Sequence, residues 1–317
     1  MTDDPSRRVP IEPQQVDAPL TRHAVFLVLS LSDAPHAAET ARAALATVSD
    51  LTKNVAIRDL GAAFSCTVGI GSRVWDAVVG TERPRELHPF VPIEGAVHRA
   101  IATPGDLLFH IRSDRRDLCF EFERQLLDAL GNSVVEEDET EGFRYFDVRD
   151  LLGFVDGTAN PTGAALPGST LVGDEDAPAG GGSYVVVQKY THDLAAWNAL
   201  PTETQESIMG RRKADNVELA DAAAGQRSHK TLATIEDDQG EHPILRDNMP
   251  FGSPAAGVFG TYFIGYSRAL WVIERMLQRM FVGEPAGMHD RLLDFSTPQT
   301  GGVFFVPAAA VLDGLAD

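Results

Sequence analysis

The chain has 317 residues, 44% hydrophobic and 23% charged, the balance of a globular protein with room for two cores. Its 46 acidic against 27 basic side chains leave a net charge of −19, and a surface of that sign repels phosphate backbones and anionic membranes. Its two cysteines, Cys66 and Cys119, make neither a disulfide framework nor a CxxC motif and read as buried thiols.

Residues 1–22 read as a disordered or surface-wrapping arm. The Arg7-Arg8 pair suits a twin-arginine export signal, but Pro10, Glu12, Pro13, Gln14 and Gln15 stand where an apolar region is required. The apolar runs are too short to cross a bilayer, so a cytoplasmic chain with no membrane partner is expected.

In chain order, "HAVFLVLSLS" predicts a strand, "APHAAETARAALATVSD" an amphipathic helix, "FSCTVGIG" a strand and "GSRVWDAVVG" a short helix. "GDLLFHIRS" predicts a strand, and "DRRDLCFEFERQLLDALG" a helix capped by Asp114 and closed by Gly131. "GFRYFDVRD" is read as a strand. After the turn-rich "LLGFVDGTANPTG", "GGSYVVVQKYTHD" predicts a long strand, "LAAWNAL" and "PTETQESIMGRRK" helices, "GTYFIGYS" a strand, "RALWVIERMLQRMFVG" a helix and "TGGVFFVP" a last strand. Both halves thus repeat strand, helix, strand, strand, helix, strand without a Gly-rich phosphate loop. That order predicts an α+β protein of two ferredoxin-like domains with antiparallel sheets. The expected boundaries are an arm over 1–22, an N-terminal domain over 23–148 and a C-terminal domain over 149–317. Roughly residues 213–258 read as irregular, and long irregular segments in compact domains are often functional.

Three stretches carry candidate chemistry. Asp156 lies among turn formers, since Gly157 tolerates positive φ and Pro161 restricts Asn160; locally it reads as a solvated turn acid. His229, in "GQRSHKTLATI", is a lone histidine with small neighbours and by itself reads as a satisfied ring. Arg246 and Asn248, in "RDNMPFG", are two apart and so share one side of an extended segment. A guanidinium and an amide beside one carboxylate could move a proton and stabilise negative charge on oxygen.

"GFVDGTANP", "SHKTLATI", "LRDNMPFG", "GTYFIGY" and "DRLLDFSTPQTG", in this order and with "TPGDLLFHIR" and "GSYVVVQKY", resemble the corresponding blocks of dye-decolorising peroxidases, bacterial type B. The resemblance runs from about residue 22 to the C-terminus. It implies the dimeric α+β barrel fold of the chlorite dismutase-like superfamily, with one haem b per chain in the second half. His229 is then the proximal ligand of the haem iron and Asp290 the acid bonded to its far nitrogen, although Asp290 also suits a loop cap. Asp156, Arg246 and Asn248 match the distal residues, Arg211 a position near a haem propionate, and Phe263 and Met276 are candidates for apolar walls. The implied activity is reduction of hydrogen peroxide to water through an oxoferryl porphyrin-radical intermediate, with oxidation of dyes, phenolics or other bulky aromatic electron donors. The alternatives are a haem carrier, store or sensor without turnover, and removal of iron from haem or oxidation of the macrocycle. Holes would reach bulky donors through Trp75, Trp197, Trp271, Tyr145, Tyr184, Tyr190, Tyr262 or Tyr266, among which the sequence does not choose. Two features depart from relatives: Ala159 replaces a frequent Glu, and "VLDGLAD" lacks a nanocompartment-targeting peptide, so encapsulation is not expected. A homo-oligomer is implied; a nucleic-acid partner is not.

Overall fold

The computed structural model describes residues 12–221 and 225–316. Its first half runs β1 (His23–Leu31), α1 (Ala37–Ala46), α2 (Val48–Ala56), β2 (Ser65–Ile70), α3 (Trp75–Val78), β3 (Leu107–Ser113), α4 (Arg116–Leu130) and β4 (Val134–Phe143). The second runs β5 (Ser183–His192), α5 (Leu194–Asn198), α6 (Thr202–Met209), α7 (His229–Ala233), β6 (Leu245–Arg246) and β7 (Met249–Ser253). It ends with β8 (Val258–Ser267), α8 (Leu270–Phe281), β9 (Ser296–Pro298) and β10 (Gly302–Val306).

These strands form one antiparallel sheet in the order β6–β8–β5–β10–β2–β3–β1–β4, with β7 also on β8 and β9 on β5. Each half contributes the ferredoxin-like order, fourth strand beside first, first beside third, third beside second. A single bridge, Phe305 to Ile70, joins them. The sheet then curls until β4 lies against β7, where a Cβ on Gly142 would come within 2.7 Å of the Met249 side chain. Across the enclosed space Phe26 of β1 stacks on Tyr262 of β8, ring centroids 4.1 Å apart.

Strand β1 shows why the sheet has two apolar faces. Val25, Leu27 and Leu29 pack under the helices, while Ala24, Phe26 and Val28 point into the barrel with Val185, Ile264 and Phe304. A strand covered on both sides reads as a continuous apolar run, and each fully buried large side chain contributes about 1.5–3 kcal/mol.

Several expectations change. The helix expected over 34–50 breaks at Thr47, whose hydroxyl donates to the Ala44 carbonyl, giving α1 and α2. Asp114 does not cap α4: its carboxylate accepts the Arg22 N–H, and Arg115 begins the helix without a side-chain cap. The strand expected over "GFRYFDVRD" lies earlier, in the acidic "VVEEDETEGF" of β4, and positive φ at Asp147 and Val148 turns the chain instead. Strand β4 sits at the end of the hydrogen-bonded order, so a polar outer face is tolerated there. Within the supposedly irregular 213–258 lie α7, β6 and β7. Residues 1–11 of the expected arm, including Arg7 and Arg8, lie outside the described residues; residues 12–22 are held in place. The buried Gln14 amide bonds Val68 on both backbone atoms and the Pro307 carbonyl, pinning the arm to β2. No described helix is long and apolar enough to cross a membrane.

Candidate active site

The connection from β5 to β6 folds into the short helices α5, α6 and α7 rather than a continuous layer. Helices α6, α7 and α8, strands β5 and β8 and the turn at 150–160 surround a cavity of about 1460 Å³, its open mouth included. Its lining is mostly apolar, with Phe154, Val272, Leu277 and Leu293 among the walls. Asp156, His229, Arg246, Asn248, Arg211, Phe263 and Met276 all line it, and Asp290 stands directly behind His229.

His229 opens α7. Ser228 before it is anchored by its N–H and hydroxyl to the Asp221 carboxylate, which fixes where the helix starts. The ring bonds Asp290 Oδ2 through Nδ1 at 2.6 Å, and Nε2 has no partner among the described residues. The fully buried Asp290 is also the loop cap its position suggested, since Oδ1 accepts the Leu292 N–H. Burial alone would lower the His229 pKa; the charge and hydrogen bond of Asp290 outweigh it and raise the pKa.

Asp156 sits on the sharp turn made by Gly157 at φ +74°, where its Oδ1 accepts the Gly157 N–H at 2.7 Å and the Asn248 amide at 3.4 Å. Burial raises its pKa; those two donors and the Arg246 charge hold the rise back. Arg246 and Asn248 line the cavity, whereas Asp247 between them bonds the buried Arg112 inside the barrel at 3.0 Å. The alternation of an extended segment thus sorts the two polar groups to one side. Burial lowers the Arg246 pKa against the attraction of Asp156 and Glu241; its Nη2 reaches the Ala233 carbonyl and Met276 Sδ at 3.4 Å. Asn248 is oriented by the Ile264 N–H, which donates to its Oδ1.

Arg211 is committed to Glu218 at 2.6 Å and to the Asn216 carbonyl. Sequence reasoning missed Asn160, which accepts the Arg246 N–H and donates to the Arg246 carbonyl, locking the Asp156 turn to β6. It also missed Asp150, a cavity carboxyl whose pKa burial pushes up to about 7. His192, another lining residue, is held between Ser296 and Thr261, and burial brings its pKa down to about 4. Asn160 was visible only as a turn residue; Asp150 and His192 carry no local signal.

The family models for "Dyp-type peroxidase, N-terminal" and "Dyp-type peroxidase, C-terminal" match residues 13–144 and 147–311. The chain belongs to the Dyp-type peroxidase family. It is 50% identical to the dye-decolorizing peroxidase of Mycobacterium tuberculosis over 96% of this chain and 90% of the relative. DyPB from Rhodococcus jostii RHA1 superposes with a TM-score of 0.93 at 52% identity, covering 98% of this chain and all of that one. A variant of DypB in complex with heme gives 0.92 at 52% identity, covering 96% and 99%. This Dyp-type chain is therefore a haem-dependent peroxidase with the dimeric α+β barrel fold. Its residues fit the cofactor: the cavity is roomy and apolar, and one histidine is tied at Nδ1 with Nε2 left for iron.

Proposed function

We propose that this haem peroxidase binds iron through His229 and activates hydrogen peroxide with Asp156, Arg246 and Asn248. One observation carries the reading: a single cavity gathers the His229–Asp290 pair and the three polar residues, which no haem carrier requires. When bound, haem supplies the iron that takes up the peroxide and the electrons that reduce it.

The chain's own groups do the rest. The buried Asp290 side chain holds the His229 proton at Nδ1 and makes the ring a stronger donor at Nε2. Asp156 accepts the first proton of the peroxide and returns it to the departing oxygen, which leaves as one water; the raised pKa of Asp156 suits both directions. Over the full turnover two one-electron donors and two solvent protons make the second water. Arg246 faces the anion formed meanwhile with a fork of donors that does not lose its charge. Asn248 keeps the Asp156 carboxylate in place, and Asn160 holds Arg246 through its backbone. Arg211 is proposed to shift from Glu218 to a propionate, while Phe263 and Met276 wall the macrocycle.

Of the three tryptophans, Trp271 is the exposed one at 40%, and its ring meets the cavity-lining His242 edge-on at 5.0 Å. It is proposed as the surface contact for bulky aromatic donors. The proposal keeps domain limits at 23–148 and 149–317, supported by the two family-model spans, a cytoplasmic location and a homo-oligomer. Exposed apolar residues such as Phe120 and Phe146 suit self-association, which light scattering tests.

Rapid mixing of the haem-loaded protein with peroxide and an aromatic donor tests the main reading. Wild type should consume both in a one-to-two ratio, and Trp271→Phe should lose turnover with bulky dyes while keeping small phenols. Haem destroyed by stoichiometric peroxide without donor oxidation would defeat it.

A further inference from the structure

His98 lies at the end of a tight hairpin, Ile93–Glu94 paired with Arg99–Ala100, in the first half of the chain. The hairpin tip presses on the end of α8, so closely that a Cβ on Gly95 would collide with the Phe281 carbonyl. There His98 meets two residues of the segment after α8, His289 and Asp294. Both imidazoles point Nε2 at the same atom, Asp294 Oδ1, each at 2.8 Å. The rings meet edge to face with centroids 4.8 Å apart. Side-chain exposures are 24% for His98, 12% for His289 and 37% for Asp294, so solvent reaches part of the group.

We propose that His98, His289 and Asp294 bind a transition-metal dication of the Zn2+ class. Two imidazole nitrogens and one carboxylate oxygen are a donor set that such ions favour, and all three donor atoms lie within 4.8 Å of one another. Zn2+ bonds of about 2.0–2.2 Å place neighbouring tetrahedral ligand atoms about 3.4 Å apart, so the observed contacts open by roughly half an ångström on loading. The open side of Asp294 leaves the fourth position to water.

His289 Nδ1 is buried without a partner among the described residues, so its ring is held through Nε2 only. On loading, a neutral ring moves its proton from Nε2 to Nδ1, and a charged ring releases one proton. The ion would then clamp the N-terminal hairpin to the segment carrying Asp290. No residue of the haem cavity takes part, so the site stands or falls independently of the peroxidase assignments.

Zinc chloride titrated calorimetrically into chelator-treated, haem-loaded protein should show one tight equivalent. His98→Ala and His289→Ala should each weaken it at least tenfold, and zinc should raise the Tm of wild type but not of these variants. Zinc-edge X-ray absorption of the loaded wild type should show two imidazoles on the metal. Equal affinity in wild type and both variants, or a metal environment without imidazole, overturns the site.

Discussion

The two halves share one strand order but fill the space beneath it differently. In the first, α1, α2 and α4 cover the sheet, and Phe64, Phe109, Phe122 and Leu126 close the gap into a solid core. In the second, the corresponding crossover, residues 193–244, is broken into three short helices, and the space between sheet and helices stays hollow. Topology therefore does not make the cavity; the interrupted helix layer leaves it open and brings His229 to its wall, while the 150–160 turn and β6 bring Asp156 and Arg246. Buried polar groups cost stability unless bonded, and here bonds from Asp290, Asn248 and Asn160 offset that cost.

The sharpest way to break the comparison is to alter the hollow half where the cofactor is proposed to bind. His229→Ala should abolish stable haem retention, with affinity falling more than about 100-fold, and Asp290→Asn should weaken it about 10- to 100-fold. Spectrophotometric haem titration reads both. The matching change in the solid half is Phe122→Ala, which deletes a fully buried ring packed on Phe64. Denaturant unfolding should show a loss of about 3–5 kcal/mol. Haem affinity of the folded variant should stay at the wild-type value; a parallel fall would mean that the halves are not independent.

Within the cavity, Arg246→Leu should slow the reaction with peroxide by about 10²–10³-fold, and Asp156→Ala by about 10²–10⁴-fold. Haem affinity should change little in either. Stopped-flow rates at fixed haem loading separate a catalytic defect from a binding one.

The two halves also differed in how far their residues could be read. The inner strands β1, β3, β5 and β8 are built around apolar or aromatic runs, and the long helices α4 and α8 keep helical periodicity, so pattern alone located them. Strand β4 failed because an edge strand answers to one neighbour and to water, which lets "EEDETE" stand in a sheet. His229, Asp156, Arg246 and Asn248 were legible as a set only through the family's motif blocks; locally each had a plainer reading. Asn160, Asp150 and His192 stayed hidden because their part in the cavity depends on which way a turn or strand faces, and that is fixed by partners far away in sequence. The cluster of His98 with Asp294 joins residues 196 apart and could not be seen in order along the chain.

The smallest effect expected tests the solid half by pH. Glu123, on α4, is 8% exposed and faces the acidic row of β4. Burial first, and then the charges of Glu139, Glu141 and Glu136, push its pKa up to about 7. An acid whose folded pKa lies above its unfolded one binds its proton more tightly when folded. Its contribution is therefore fully present below about pH 4 and is lost as pH rises through about 7. Glu123→Gln keeps the neutral shape of the protonated acid at every pH. The variant should match wild type near pH 4 and exceed it by about 1–3 kcal/mol at pH 8, measured by urea unfolding at both values. A gap that does not widen with pH would show that the carboxylate finds a cation or water when charged, and that this core is less sealed than its apolar packing implies.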